Sequence, residues 1–290
     1  MQLIIVVINK CNYMVDLFTI FVISIFAGFI GSLTGLGGGG ITIPFLTYLG
    51  VPVKYAIAAS MVSIIATSSG SAASYVKEKI ANVRSAMYLE MFTIIGAIVG
   101  ATITTIVQPK LLYFLFGGFL LASFVGIISK HIREEVPSNV RQDRMARWLK
   151  LEGRYYDRIL NKEITYKLTN PAYGGVGMFF AGIIAGMLGI GAGAFKVSIH
   201  ELILRMPSKV STATSNFIIG ITALAGSSIY FASGLLYLDL IAPMAVGAII
   251  GSVIGSRILI RLSNKNIRLL FLVVMSILGV QMIYRGLLLK

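Results

Sequence analysis

The sequence predicts an all-α polytopic membrane protein made of two inverted-topology repeats. Each repeat is read as a Gly-turn helical hairpin, with a short half-helix, plus three spanning helices. Three observations carry this prediction. First, the 290 residues are 57% hydrophobic and 12% charged, with a mean hydropathy of +0.87. A soluble domain has about 45–50% apolar and about 25% charged residues, so this chain has too little charge to coat a soluble surface and too much apolar sequence for disorder. Second, apolar segments follow one another in the order long, short, long, long, long, and that order occurs twice. Third, a glycine cluster interrupts the start of each series.

The elements follow in order. Apolar segments cover 14–33, 41–50, 55–76, 86–107 and 111–129, then 173–188, 194–204, 210–232, 239–260 and 267–288. All are read as helices, because a chain in lipid must satisfy its own backbone hydrogen bonds. The ten-residue alternating segments of a β-barrel are absent. The start of the chain, Met1 to Ile8, lacks a basic n-region and is read as an extension of the first helix rather than a cleaved signal peptide. Three units result: a first membrane repeat over 1–129, a charged cytoplasmic linker over 130–170 and a second membrane repeat over 171–290.

The halves match by residue. Ala27-Gly28 corresponds to Ala181-Gly182, Gly35-Leu36-Gly37 to Gly189-Ile190-Gly191, and Gly39 to Gly193. After a one-residue shift, Pro52, Lys54, Ser60, Thr67 and Tyr75 correspond to Pro207, Lys209, Ser215, Thr222 and Tyr230. Gly96 and Gly100 then correspond to Gly251 and Gly255. Internal duplication of this kind is the usual build of secondary transporters.

The net charge of +14 is distributed as in a membrane protein, not a nucleic-acid binder. Ten Lys and Arg and six Asp and Glu fall within 130–170, and no basic stripe interleaves with aromatics. No nucleic-acid partner is expected; the lipid bilayer is. The loop at 77–84 carries Lys77, Lys79 and Arg84, whereas its counterpart near 233–238 carries no base. The asymmetry reverses at 257–268, with Arg257, Arg261, Lys265 and Arg268. The positive-inside rule then places 77–84, 130–170 and 257–268 in the cytoplasm. The repeats are therefore inverted and both termini lie outside, although Lys10, Arg285 and Lys290 count against that orientation. In the linker, bases from Arg141 to Arg158 recur every three or four positions, which fits either a short interfacial helix or a solvated connector.

The glycine clusters are the most informative feature. Gly37, Gly38, Gly39 and Gly40 lie in a row, and Gly189, Gly191 and Gly193 form a looser copy. Glycine disfavours helix by about 1 kcal/mol relative to alanine, so each cluster should unwind the chain. The following segment of ten or so residues is about 15 Å long, too short to span. Each cluster is therefore read as the turn of a helical hairpin, and inversion brings the turns together near the membrane centre. The short arms begin there with free N–H groups and about half a positive charge each, which makes an anion site. Gly96 with Gly100, and Gly251 with Gly255, are read as close helix packing.

The substrate-binding set is read as Gly37, Gly38, Gly39, Gly40, Ser60, Gly191, Gly193, Lys196, Ser215 and Asn216. Lys196 either adds a full positive charge to the site, or snorkels to the interface or pairs with Glu201. His200 and Glu201 form a proton relay or lie toward the interface end of the arm. Hydroxyls at Ser60, Ser63, Thr67, Ser211, Thr212 and Thr214 serve an anion or bind neighbouring helices. Glu90, Asp16 and Asp239 are read as marking helix entrances at the interface. The single cysteine, Cys11, excludes an intramolecular disulfide framework and a Cys-cluster metal site. No catalytic set, metal spacing or cofactor motif stands out, so neither an enzyme nor a cofactor is expected.

The run Gly35-Leu36-Gly37-Gly38-Gly39-Gly40-Ile41-Thr42-Ile43-Pro44-Phe45-Leu46, with its degenerate copy Gly189-Ile190-Gly191-Ala192-Gly193, resembles the sulfite exporter TauE/SafE family of transporters. The resemblance covers roughly residues 15–288. Ser198 stands where the second copy would carry the proline, so the two sites are not equivalent. The resemblance implies transport of a small, sulfur-containing anion: sulfite, sulfoacetate or another organosulfonate. The reading is a secondary transporter in the cell membrane working by alternating access. An anion channel with a fixed pore is the alternative, a membrane-embedded enzyme or assembly factor is weighed third, and assembly as a homodimer is open.

Overall fold

The structure, a computed structural model, describes residues 17–34, 37–78, 80–129, 142–157, 162–259 and 264–288. Gly35, Leu36, Cys11 and Asp16 lie outside the described residues, as do the bases Lys10, Arg141, Arg158, Arg261 and Lys290.

Helix α1 spans Leu17–Thr34, the short α2 Gly39–Tyr48, α3 Val53–Lys77, α4 Val83–Ile106 and α5 Pro109–Ser129. The second series is α7 (Pro171–Leu188), the short α8 (Gly193–Leu202), α9 (Ser208–Ala232), α10 (Leu238–Leu259) and α11 (Asn264–Leu288). Every apolar segment of the sequence becomes a helix, and the short arms of both series are ten residues long. Among the described residues, α3, α4, α7, α9 and α10 are long and apolar enough to cross a membrane. Phe26, Met91, Ile106, Phe180, Phe231 and Val246 point outward, where lipid rather than water must meet them. This is a multi-pass helical membrane protein.

The linker departs from the all-α expectation. Residues Arg144–Trp148 form a short helix, α6, N-capped by Asp143, whose carboxylate accepts from the Ala146 N–H at 3.3 Å. An antiparallel hairpin follows, β1 (Glu152–Asp157) and β2 (Lys162–Lys167), with Tyr155 opposite Ile164. The cause is period-two alternation: Tyr155 and Tyr166 face inward between exposed neighbours. The recurring bases had suggested a helical period, but that period ends at Trp148. Leu151, Tyr155, Tyr166 and Leu168 pack on Met206 and Val210 at the start of α9. Asn82 Nδ2 donates to the Tyr166 hydroxyl at 3.0 Å, and burial pushes that phenol up to about 12. The linker is thus docked on the helix bundle rather than a free connector.

The helices exchange partners between the halves. α4 packs along α7, α10 along α1, α3 along α9 and α5 along α11. Glycine permits the closest of these approaches. A Cβ at Gly96 would overlap the Phe179 carbonyl, and one at Gly251 would overlap that of Ile25. Gly182 likewise lies on the Thr93 carbonyl, and Gly28 on that of Ala248. Each contact of one half thus recurs at the matching positions of the other. The buried tyrosines repeat the pattern: Tyr75 Oη donates to the Ser32 carbonyl at 3.1 Å, and Tyr230 Oη to that of Gly186 at 2.5 Å. The lipid tails offer no hydrophobic drive for association, so such backbone approaches supply much of the packing energy.

Gly96→Leu or Gly251→Leu should therefore destabilise the protein by about 1–3 kcal/mol or more, because a rigid carbonyl blocks the new side chain. Thermal unfolding in detergent measures this. Gly118→Ala, where nothing lies within 4 Å of the added carbon, should leave the melting temperature unchanged or raise it.

Candidate functional site

Each hairpin turn is built from left-handed backbone. Gly37 and Gly38 have φ of 76° and 79°; Gly189, Ala192 and Gly191 have 65°, 48° and 68°. These conformations are open to glycine and strained for most other residues. Gly38 caps α2 and Ala192 caps α8 without a side-chain bond. Both turns are buried, as are Gly39, Gly40 and Gly193. The Thr42 N–H reaches the Gly38 carbonyl at 3.1 Å, and that of Lys196 reaches the Ala192 carbonyl at 3.0 Å. The N–H groups of Gly39, Gly40 and Gly193 lie ahead of those first α-helical bonds, where a helix leaves its donors over.

The two turns touch. A Cβ on Gly39 would overlap the Gly189 carbonyl oxygen and come within 3.0 Å of Ile190 Cα. Ser60, on α3, closes the contact from the side. Its hydroxyl lies 2.6 Å from the Gly189 carbonyl and 2.8 Å from that of Ile57. With its one proton directed at a carbonyl, Ser60 holds the opposite turn instead of presenting a donor to an anion.

The other polar residues mostly bind helix to helix. Ser68 Oγ donates to the Asn216 carbonyl at 2.5 Å and accepts from the Gly220 N–H at 3.1 Å. The Asn216 side-chain amide donates to the Ser32 carbonyl at 3.2 Å. Thr67 and Ser71 return their hydroxyls to carbonyls one turn back. Ser215 is fully buried. His200 is also fully buried, with Nδ1 3.4 Å from the Ser211 carbonyl, while Glu201 is half-buried. Adjacent positions on a helix do not share a face, and these two occupy different environments.

Sequence reading missed the most unusual constellation. Lys196 and Glu90 are both buried, at 0% and 4% exposure. Lys196 Nζ donates to Thr222 Oγ1 at 2.5 Å, and that hydroxyl lies 2.9 Å from Glu90 Oε1. Thr93 Oγ1 donates to Glu90 Oε2 at 2.6 Å. Glu90 is therefore not an interfacial residue. Helix α4 begins at Val83, two turns earlier, and aims Glu90 into the bundle. Lys196 finds its acid in the other half of the chain, not at Glu201. Asp239, by contrast, does sit in the first turn of its helix. The signal that could have found the triad was the cost of an acid inside a span, which requires a partner. Among the described residues, no group of three or more His, Cys, Asp or Glu could hold a metal ion.

Comparison with known proteins agrees with the membrane architecture. The model of a family described as "Sulfite exporter TauE/SafE" matches residues 20–282. The chain is 27% identical over 273 residues to "Probable membrane transporter protein YunE" of Bacillus subtilis, covering 91% of this chain and 96% of that protein. It is 23% identical over 278 residues to "Probable membrane transporter protein MJ0441" of Methanocaldococcus jannaschii, covering 90% and 93%. No solved structure gives a significant match.

The triad makes a quantitative expectation. Glu90→Ala leaves Lys196 buried beside an uncompensated site and should cost about 3–5 kcal/mol of stability. Removing both charges with Glu90→Gln and Lys196→Met should cost less than Glu90→Ala alone. A double-mutant cycle read by unfolding in detergent checks the sign of that coupling.

Proposed function

This chain belongs to the Sulfite exporter TauE/SafE family, and on that premise we propose that it is a secondary transporter carrying a small, sulfur-containing anion across the cell membrane by alternating access. Sulfite, sulfoacetate and other organosulfonates form the substrate class. Membrane transport itself is the family's business and that of the relatives' names. The anion reading rests on one observation: two buried glycine turns meet inside the bundle, each starting a short helix with leftover N–H donors.

An anion at the bilayer centre loses its hydration, and an uncompensated charge there costs several kcal/mol or more. Two inward helix ends of about half a charge each offset part of that loss. The floor of the site is assigned to backbone at Gly37, Gly38, Gly39, Gly40, Gly191 and Gly193, with Lys196 supplying the fixed positive charge. Ser60 and Asn216 hold the turns and adjoining helices in place through the Gly189 and Ser32 carbonyls, and the buried Ser215 is assigned to the site from its repeat position matching Ser60. The Gly39–Gly189 contact leaves no room between the turns, so binding requires them to part. That separation is the alternating-access movement in this proposal.

The two membrane repeats, 1–129 and 171–290, are proposed to be inverted about an axis in the membrane plane, with the 130–170 linker in the cytoplasm. Matching contacts at Gly96 and Gly251, and at Tyr75 and Tyr230, support the equivalence of the halves. Reversed loop charge supports the inversion.

Calorimetric titration of the detergent-purified protein with sulfite, sulfoacetate, isethionate and thiosulfate should show saturable binding of at least one of the first three. Gly39→Val should abolish it while the protein still reaches the membrane, because the added carbons occupy the contact point. Unchanged affinity in that variant moves the site elsewhere. For the topology, Ser138→Cys in a Cys11→Ser background should resist an impermeant thiol reagent added to intact cells. Labelling from outside would reverse the orientation.

A further inference from the structure

We infer that the Glu90–Thr222–Lys196 triad is a proton-binding site, and that each monoanion bound beside Lys196 is accompanied by one proton taken up by the triad. Transport of a monoanion is then electroneutral anion–proton symport. This inference rests on the anion site proposed above and adds its coupling ion.

Charge balance carries the inference. Among the described residues, His200 is a buried imidazole, and Glu90 and Lys196 are the buried carboxylate and ammonium. Ionised, they sum to zero, joined through the Thr222 hydroxyl. Lys196 lies one turn into α8 from its cap at Ala192, and helical side chains lean toward the N-terminus. Its ammonium is therefore on the side of the turn assigned to the anion. A monoanion arriving there gives the buried group a net charge of minus one. An unpaired charge inside the membrane costs several kcal/mol. One proton from water, bound to the Glu90 carboxylate, restores zero: the carboxylate becomes a carboxylic acid, the anion pairs with Lys196, and no other bond forms or breaks. Thr222 suits both states, since its hydroxyl donates to a carboxylate and accepts from either the ammonium or a carboxylic acid.

The neighbouring elements supply few competing groups. On α8, His200 lies one turn beyond Lys196, with Nδ1 facing the Ser211 carbonyl, and Glu201 is half-buried. On α9, Tyr230 donates to the Gly186 carbonyl, and Lys209 lies near the helix start. On α3, Tyr75 donates to the Ser32 carbonyl, and Lys54 donates to that of Thr105 at 2.8 Å. On α7 the titratable residue is Tyr173, which is exposed. On α4 itself, Tyr88 donates to the Pro171 carbonyl at 3.3 Å.

The test is a proton count on the intact protein, with isethionate as probe because it stays a monoanion across the pH range. Titration in buffers of different ionisation enthalpy should give one proton taken up per isethionate bound. The affinity should then fall about tenfold per pH unit wherever uptake is one. In the double variant Glu90→Gln with Lys196→Met, uptake should drop to zero and the residual affinity should lose its pH dependence. Isethionate binding without proton uptake overturns the inference and leaves the anion site standing. Absence of binding by sulfite, sulfoacetate and isethionate alike removes the anion site itself and the inference with it. Loss of uptake in His200→Gln, or its persistence in the double variant, moves the proton elsewhere and overturns the assignment. A transport measurement on the wild-type protein is independent of whether the variants fold. In proteoliposomes, isethionate uptake should follow an imposed pH gradient and ignore a valinomycin-set potential; accumulation driven by the potential alone overturns the inference.

Discussion

The Gly189 carbonyl lies against Gly39 with no side chain between them, and the rest of the site depends on that contact. It joins two hairpin turns that are remote in sequence. It demands glycine at Gly39 because any Cβ would strike a carbonyl. The left-handed residues Gly37, Gly38, Gly189 and Gly191 bend the chain sharply enough to bring the turns there. Ser60 then fixes the Gly189 carbonyl from α3, and Ile64 and Ile219 pack against Gly37 from the two central helices. A buried contact of this kind is close-packed, so an added carbon cannot be absorbed without displacing backbone.

The surrounding bundle holds the turns without a water-driven core. Lipid is as apolar as the helices, so association relies on close backbone approach and hydrogen bonds. Gly96, Gly182, Gly28 and Gly251 allow that approach between α4 and α7 and between α1 and α10. The hydroxyls of Ser68, Tyr75 and Tyr230 bind carbonyls across the bundle. Because α4 pairs with α7 and α10 with α1, neither half packs as a separate body. The buried acid and base follow the same logic. Glu90 belongs to the first half and Lys196 to the second, so their bridge through Thr222 joins the two halves.

Much of this was legible in the sequence, and the reasons are physical. Helices in lipid announce themselves by length and hydropathy, so α1 to α5 and α7 to α11 could be placed within a few residues. The glycine turns were legible because four glycines in a row have no packing rationale, and Gly96 with Gly100 because their spacing does. The docking of Tyr155 and Tyr166 was hidden by bases at helical spacing in the same stretch. Ser60 was legible as special but not in its role, because a hydroxyl reads alike whether it faces a ligand or a carbonyl. Glu90 was misread for a related reason. Its two-turn depth in α4 depends on a helix start that hydropathy alone places too late, and its partner Lys196 lies in the other half. Pairings between distant helices leave no local pattern.

The central claim is that an anion enters between the glycine turns and parts them. Anomalous diffraction from crystals soaked in selenite, the heavier analogue of sulfite, tests it directly. The account predicts a selenium peak between the turns, with its oxygens about 3 Å from backbone nitrogens of Gly39, Gly40 or Gly193 and the Gly39–Gly189 contact opened. A selenium peak elsewhere in the bundle, with Gly39 still seated on the Gly189 carbonyl, would contradict it.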